Sequence, residues 1–404
     1  MSWSAKLQLS ALKMTYAGAN AMLFGLRRVL WPIRPARKPD SICLYRIGNV
    51  GDTVCALPAM RAVRRAYPAA RLVLLTSPGH ANMPGARDVL EGNDWLDDVI
   101  VYRDTDIATW AGRWRLLRRL RQERVDLWIE LPNVRASIGR LMRNMLFARL
   151  SGARWGGGWR LSTVRLWPRL QSDFLQFPNE VQRLLAILCE EGVDGGEVEY
   201  GYARQPEISA AAAYILARAG IENARPLVAI ATGAKRTTNR WFSERWIDVG
   251  RALAASDHEL VLVGGPGEIE LCKKIAEGIG PAAVTMAGQT TLPVLAEVLA
   301  RCSLALCVDS GVQHIAAAVG TPCVSLVAAR DYRGKWHPHG THIVIEKRVP
   351  CHTCLLERCP NDNLCMREIT VAEVVAAAMQ LLRQSRTMTG GRHSLPTSAK
   401  AILK

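Results

Sequence analysis

The chain has 404 residues, 49% hydrophobic and 6% aromatic, with a formal net charge of +16. That length exceeds one ordinary core, so two domains are expected, and the composition suits an Ala/Leu/Val-rich α/β protein. Eleven cysteines in so long a chain do not make a disulfide framework, and no apolar run approaches the ~20 residues that span a bilayer.

The charge is uneven. Residues 112–170 carry fourteen Arg against Glu123, Asp126 and Glu130, and residues 1–40 carry seven Lys or Arg against Asp40. Such a surface calls for an anionic partner, either nucleic acid, phosphorylated lipid or a membrane. There is no aromatic–basic RNA signature and no helix-turn-helix pattern, which argues against nucleic acid. Cys43, Cys302, Cys307 and Cys323 sit in apolar runs and read as buried small hydrophobes, as in a reducing compartment.

In chain order, residues 1–30 read as one amphipathic helix. Lys6, Lys13, Asn20 and Arg27 recur every seven residues, and Trp3, Leu9, Leu12, Tyr16, Leu23, Leu26 and Leu30 fill the rest. A signal peptide fits poorly because Lys13 interrupts the apolar part. A helix in the membrane interface and a helix packed on the protein both fit. Trp31 to Pro39, with three prolines, reads as a linker. A domain is expected over residues 40–205. Its strands are Ile42–Ile47, Arg71–Thr76, Asp98–Tyr102 and Val125–Leu131, and its helices Thr53–Tyr67, Trp110–Gln122, Arg135–Leu150 and Asn179–Glu190. Gly156 to Phe177 reads as irregular, and Gly195 to Pro206 as the inter-domain linker.

The alternation restarts over residues 206–383. Strands are expected at Leu227–Ala231, Glu259–Val263, Val284–Met286, Leu304–Val308 and Cys323–Val327. Helices are expected at Ser243–Ala255, Glu268–Ile279, Thr291–Ala300 and Val312–Val319. Residues 384–404 read as a disordered tail. Two doubly wound, Rossmann-like domains in tandem place a site in the cleft between them, at the carboxyl ends of both sheets.

Three corners of the second domain carry the chemistry. Thr232 to Trp241, with Lys235, Arg236, Asn239 and Arg240, is hydroxyl-rich and basic, which suits phosphate oxygens. Gly264-Gly265-Pro266-Gly267-Glu268 permits close approach, and Glu268 can accept from ribose hydroxyls. Asp309-Ser310-Gly311, with His314 one turn on, opens a helix whose free N–H groups favour an anion. Asp309 or Ser310 as a plain helix cap is the alternative. Three such corners on one sheet point to a nucleotide diphosphate. In the first domain, Asp52 follows the Gly48-Asn49-Val50-Gly51 turn. It reads as a helix cap, as a general base facing the cleft, or as both.

Asp309 to Pro322, Arg46 to Thr53 continuing to Leu57-Pro58-Ala59, and the Gly264–Glu268 corner together resemble glycosyltransferase family 9, the lipopolysaccharide heptosyltransferases. The resemblance runs from about Ser41 to Arg383. It implies a two-domain GT-B fold and an inverting transfer, without a catalytic metal or other cofactor. The implied donor is ADP-heptose. The implied acceptor is a lipid A-linked lipopolysaccharide core, at the cytoplasmic face of the inner membrane. Asp52 matches the family's proposed base, Glu268 its ribose-binding acid, and Asp309, Ser310 and Gly311 its donor-diphosphate corner. One departure is Asn239, where the family has Lys to neutralise the diphosphate; Lys235, Arg236 or Arg240 would then supply the charge. Ala328-Ala329-Arg330-Asp331 also lacks the family's usual Gly-Pro-Thr. Arg135 is the candidate for acceptor phosphates or carboxylates, while most of the neighbouring Arg read as a solvated basic face.

Cys351, Cys354, Cys359 and Cys365, with two, four and five intervening residues, could ligate tetrahedral zinc, pair as disulfides or stay free. Two rivals to transfer remain. A nucleotide-sugar epimerase would turn over without an acceptor and without Asp52. A scaffold would keep the fold and lose turnover, and Asn239 is the one hint of it.

Overall fold

The computed structural model describes residues 3–33, 37–78, 84–162, 176–202, 205–221 and 225–389. Helix α1 (Trp3–Leu30) precedes the first domain. There, β1 (Ser41–Ile47), α2 (Val50–Ala66), β2 (Arg71–Ser77), the short α3 (Ala86–Val89), β3 (Asp98–Val101), α4 (Trp110–Gln122), β4 (Leu127–Glu130), α5 (Ile138–Leu150), β5 (Trp155–Gly157) and α6 (Glu180–Glu190) follow in order. The second domain contains α7 (Pro206–Arg218), β6 (Leu227–Ala231), α8 (Ser243–Ala254), β7 (Glu259–Leu262), α9 (Ile269–Ile279), β8 (Ala283–Thr285) and α10 (Leu292–Ala300). It continues through β9 (Leu304–Val308), α11 (Gly311–Ala318), β10 (Cys323–Val327), β11 (Ile343–Glu346), α12 (Leu364–Arg367) and α13 (Val371–Thr389).

All strands pair in parallel, as β3-β2-β1-β4-β5 and β11-β10-β9-β6-β7-β8. The central strands β4, β6, β9 and β10 are buried at every residue. That is why they are written as continuous apolar runs: helices cover both faces of a parallel sheet. In each sheet the chain starts in the middle, runs to one edge and crosses back. The order therefore reverses between β1 and β4, and again between β6 and β9. Ligands of such sheets bind in the crevice at that reversal. A single buried apolar cluster runs from Leu44 and Ile129 through Val54 and Leu57 of α2 to Ile315 of α11 and Leu299 of α10. The two domains thus share apolar packing behind the crevice.

Four local expectations change. Gly156 and Gly157, read as irregular, form edge strand β5 beside β4. Glycine is required there by packing, because a Cβ on Gly156 would lie 2.3 Å from the Trp159 ring and one on Gly157 2.5 Å from Glu191. Pro206, at the end of the expected linker, is instead the first residue of α7, where its missing N–H costs nothing. Trp31 is no linker residue: it is buried, stacks on Trp159 at 5.3 Å and donates to the Ala153 carbonyl at 2.8 Å. The last helix runs on past Arg383 to Thr389, and the remainder of the expected tail, 390–404, lies outside the described residues.

Helix α1 packs on α5. Two members of its polar stripe face the protein: Asn20 accepts from the Leu161 N–H at 2.9 Å, and Arg27 pairs with Glu191 at 2.8 Å. The side chains of Lys6 and Lys13 lie outside the described residues. Met14, Met22, Phe24 and Val29 remain exposed, as do Met142, Leu146 and Leu150 of α5. No helix among the described residues is long and apolar enough to cross a membrane.

Candidate active site

The turn after β1 positions Asp52. Asn49 caps α2 in an extended conformation, and the Asp52 carboxylate, three residues on, accepts from the Asn49 N–H at 3.3 Å. Gly48 leaves the room this requires, since a Cβ there would lie 2.1 Å from the Asp52 Cβ. Beneath the turn lies Arg46, only 1% exposed. Its guanidinium donates to the Leu131 and Pro132 carbonyls at 3.2 and 3.1 Å, to Glu180 at 2.9 Å and to Asp52 at 3.4 Å. Glu180 is shared with Arg183 at 2.7 Å. Burial alone would raise the Glu180 carboxyl, but Arg183 and Arg46 hold it at about 2. Asp52 differs. Its side chain keeps 19% of its surface. Desolvation is the largest influence and raises its pKa above the ordinary aspartate value; Arg46 opposes and the charge on Glu180 adds to the rise. The turn thus presents a partly exposed carboxylate that is a better base than a free aspartate. The N-cap is therefore Asn49 rather than Asp52, which is its reciprocal partner at the third helical position, and the same carboxylate keeps an exposed edge.

Helix α11 meets this turn from the other domain. A Cβ on Gly51 would lie 3.2 Å from the His314 ring and 3.6 Å from the Gly311 Cα, and one on Gly311 would lie 3.1 Å from Val50. Glycine at both positions lets the N-terminal ends of α2 and α11 touch. Each end carries free N–H groups and partial positive charge. An anion placed beside both would relieve their mutual repulsion.

The corners of the second sheet converge beside α11. Asn239 is buried and donates to the Asp309 carboxylate at 3.0 Å, and Gln313 donates to its other oxygen at 3.0 Å. Burial, with the charge on Asp331, pushes the Asp309 carboxyl up to about 6, against the pull of Lys335, Arg330 and Arg236. The Ser310 Oγ, Thr238 Oγ1 and Asn239 Oδ1 are buried and have no hydrogen-bond partner. Unsatisfied buried polar atoms are costly, and three in adjoining corners imply a ligand that completes them. Glu268 bridges two corners: one oxygen accepts from the Gly265 N–H at 2.8 Å, and a Cβ on Gly233 would collide with the other.

Other candidates are spent on protein contacts or face solvent. Arg236 is paired with Glu357 at 2.9 Å, and Lys235 and Arg240 are exposed. Arg135 pairs across the domains with Asp331 at 3.1 Å. His314 is buried against α2, with Nδ1 3.3 Å from the Cys55 Sγ, and burial lowers its pKa to about 4, so it is neutral at pH 7.

Sequence reasoning missed Lys335. It is 2% exposed, 3.5 Å from Asp331, and its ammonium lies 4.4 Å from the Trp336 ring centroid. Burial lowers its pKa, while the charges of Asp331, Glu180 and Asp52 sustain the cation. It is therefore a buried cation beside Asp331 that also feels the charges of Glu180 and Asp52 in the first domain. The segment carrying it is stitched to the first domain: the Glu180 N–H donates to the Lys335 carbonyl at 3.0 Å and the Phe177 N–H to the Arg333 carbonyl at 2.8 Å. The missed signal in the sequence was Tyr332 and Trp336 flanking a lone Lys beyond β10.

Comparison with known proteins gives a consistent picture. The model for "Glycosyltransferase family 9 (heptosyltransferase)" matches residues 113–364. Lipopolysaccharide heptosyltransferase 3 of Escherichia coli is 26% identical over 352 residues, spanning 84% of this chain and 98% of the relative. Among solved structures, the family 9 glycosyl transferase of Veillonella parvula matches with a TM-score of 0.70 at 20% identity, covering 87% of this chain and all of that one. The E. coli heptosyltransferase WaaC with ADP-2-deoxy-2-fluoro heptose matches with a TM-score of 0.58 at 19% identity, covering 85% and 99%.

Proposed function

The chain belongs to glycosyltransferase family 9, the heptosyltransferases, and on that premise we propose that it moves a heptose from ADP-heptose to a lipopolysaccharide-core acceptor with inversion. The observation that carries the reading is the junction of α2 and α11 at Gly51 and Gly311. It brings a raised carboxylate, Asp52, and an anion-seeking helix start into one crevice. Two of the similar proteins, a lipopolysaccharide heptosyltransferase and a heptosyltransferase solved with an ADP-heptose analogue, support the donor and acceptor.

In this reading the acceptor hydroxyl gives its proton to Asp52 as its oxygen attacks the anomeric carbon, on the face opposite the departing ADP. The sugar ring gains oxocarbenium character. The leaving diphosphate gathers charge, which the free N–H groups at Ser310 and Gly311, the Ser310 hydroxyl and the Lys335 ammonium stabilise. Asn239 is neutral and already donates to Asp309, so the compensating cation is assigned to Lys335 rather than to Lys235, Arg236 or Arg240. Glu268 receives the ribose hydroxyls. Charge neutralisation is thereby assigned to protein groups, with no catalytic metal or other cofactor. Arg135 meets the acceptor's anionic groups by leaving Asp331.

Thermal denaturation with nucleotides tests the donor. At ~100 times its dissociation constant ADP should stabilise the fold by about 2.7 kcal/mol, and UDP, GDP and CMP by clearly less. Equal shifts for all four would remove the adenine preference. Exchange of product without an acceptor would return the epimerase.

The acceptor lipid implies a protein peripheral on the inner face of the inner membrane. Exposed Met22, Phe24 and Val29 of α1, with exposed Leu146, Arg140, Arg143 and Arg149 of α5, the helix on which α1 packs, suit an anionic bilayer surface. Removing α1 would uncover buried core at Leu23, so point changes are the cleaner test. Phe24→Ser with Val29→Ser should lower co-sedimentation with anionic vesicles several-fold and leave turnover on a soluble acceptor intact. Unaltered co-sedimentation would remove the membrane role from this face.

A further inference from the structure

We propose that Cys351, Cys354, Cys359 and Cys365 form a structural tetrathiolate site for a zinc-class divalent cation. All four side chains line a single pocket, together with Arg330 and Thr238. The fold brings them there although thirteen residues lie between the first and the last. The backbone turns needed are tight ones: Thr353 and Leu355, on either side of Cys354, and Asp362 and Asn363, before Cys365, all adopt left-handed φ values of 47–58°. A bulky residue such as Leu355 holds that conformation only where its surroundings enforce it. The segment is enforced from one side by the second sheet, where the Thr353 N–H donates to the Ala329 carbonyl at 2.6 Å and the Leu355 N–H to that of Arg330 at 2.8 Å.

The thiols are free and line the pocket, but they are not gathered: as placed, no group of three or more His, Cys, Asp or Glu among the described residues could hold a metal ion. Binding would draw the four sulfurs together and release their protons to solvent. Four thiolates on a divalent ion leave two negative charges. Arg330, 3% exposed on the same pocket wall, is placed to offset them. Soft sulfur ligands without a carboxylate favour zinc or iron over magnesium or calcium. The same segment also reaches the first donor corner, through Asn363 donating to the Thr237 carbonyl at 3.2 Å and Glu357 pairing with Arg236. A metal here fixes a loop that braces that corner and touches no reacting atom.

The test is an anaerobic titration of the reduced, chelator-stripped full-length protein with Co²⁺. Intense visible bands of a tetrahedral thiolate site should saturate at about one equivalent and vanish when Zn²⁺ is added. Cys354→Ser and Cys359→Ser should each lose them, whereas Cys189→Ser, at an exposed cysteine elsewhere, should keep them. Metal analysis of the protein as isolated then separates zinc from iron. A weak octahedral spectrum from the wild type would overturn the site, whatever the variants do. So would mass spectra showing the four cysteines paired as disulfides, or bands kept by both variants. The readout is spectroscopic, so its failure leaves the transferase reading untouched, and the reverse holds as well.

Discussion

Asp52→Asn should abolish most transfer while leaving the molecule folded. The amide matches the carboxylate in size, can still accept from the Asn49 N–H, and ranks with aspartate near a helix start. Arg46 keeps its bonds to Glu180, Leu131 and Pro132, so the charge below the turn stays compensated. What is lost is the ability to take a proton, worth about 10²–10⁴-fold in turnover. The pH profile gives a second reading. A base works when deprotonated, and burial raises Asp52. Wild-type turnover should therefore fall as pH drops through a value above the usual aspartate figure of about 3.9. The residual activity of Asp52→Asn should lack that acid limb. Near-normal turnover by the variant at an unchanged melting temperature would reduce Asp52 to a helix cap.

The second large effect is expected at Lys335. Lys335→Met preserves most of the volume of a side chain that is 2% exposed, and Asp331 keeps Arg135 and the Tyr332 N–H as partners. Stability should change little, because removing a desolvated charge offsets the lost ion pair. Turnover at saturating donor should fall by about 10²-fold, the usual cost of one charge-stabilising group in the transition state. The comparison that decides is with Lys235→Ala and Arg236→Ala. Lys235 is exposed and Arg236 is held by Glu357, so these changes should act on donor KM more than on kcat. If Lys335→Met retained wild-type kcat while either of them lost it, the cation would belong to the first donor corner.

These two residues mark the division between what was legible in the sequence and what was not. The position of Asp52 could be read because it is set locally: a strand, a Gly-x-x-Gly turn and a helix start lie within a dozen residues, and backbone geometry fixes where the carboxylate sits. Most strands were legible for a similar reason. A strand covered on both faces must be apolar throughout, so Leu227–Ala231, Leu304–Val308 and Cys323–Val327 could be bounded to the residue. Edge strand β5 could not, because two of its three residues, Gly156 and Gly157, are poor strand formers, and the segment takes its shape from β4 and from close packing by Trp159 and Glu191.

By itself the sequence determined two parallel α/β domains, their alternation, three glycine-bearing corners on the second sheet and a carboxylate at the first turn of the first. Only the tertiary structure decided which groups remain available to a ligand. It paired Arg135 with Asp331, turned His314 toward Cys55, and used the Asn239 amide on Asp309. It also buried Lys335 beside Asp331, where the charges of Glu180 and Asp52 in the first domain reach it. The physical reason is range. Hydrogen bonding and steric rules along the backbone act over a few residues and are written in the local sequence. Ion pairs and desolvation act between residues that folding brings together, such as Arg135 and Asp331, 196 positions apart, and are fixed only once the two domains have packed.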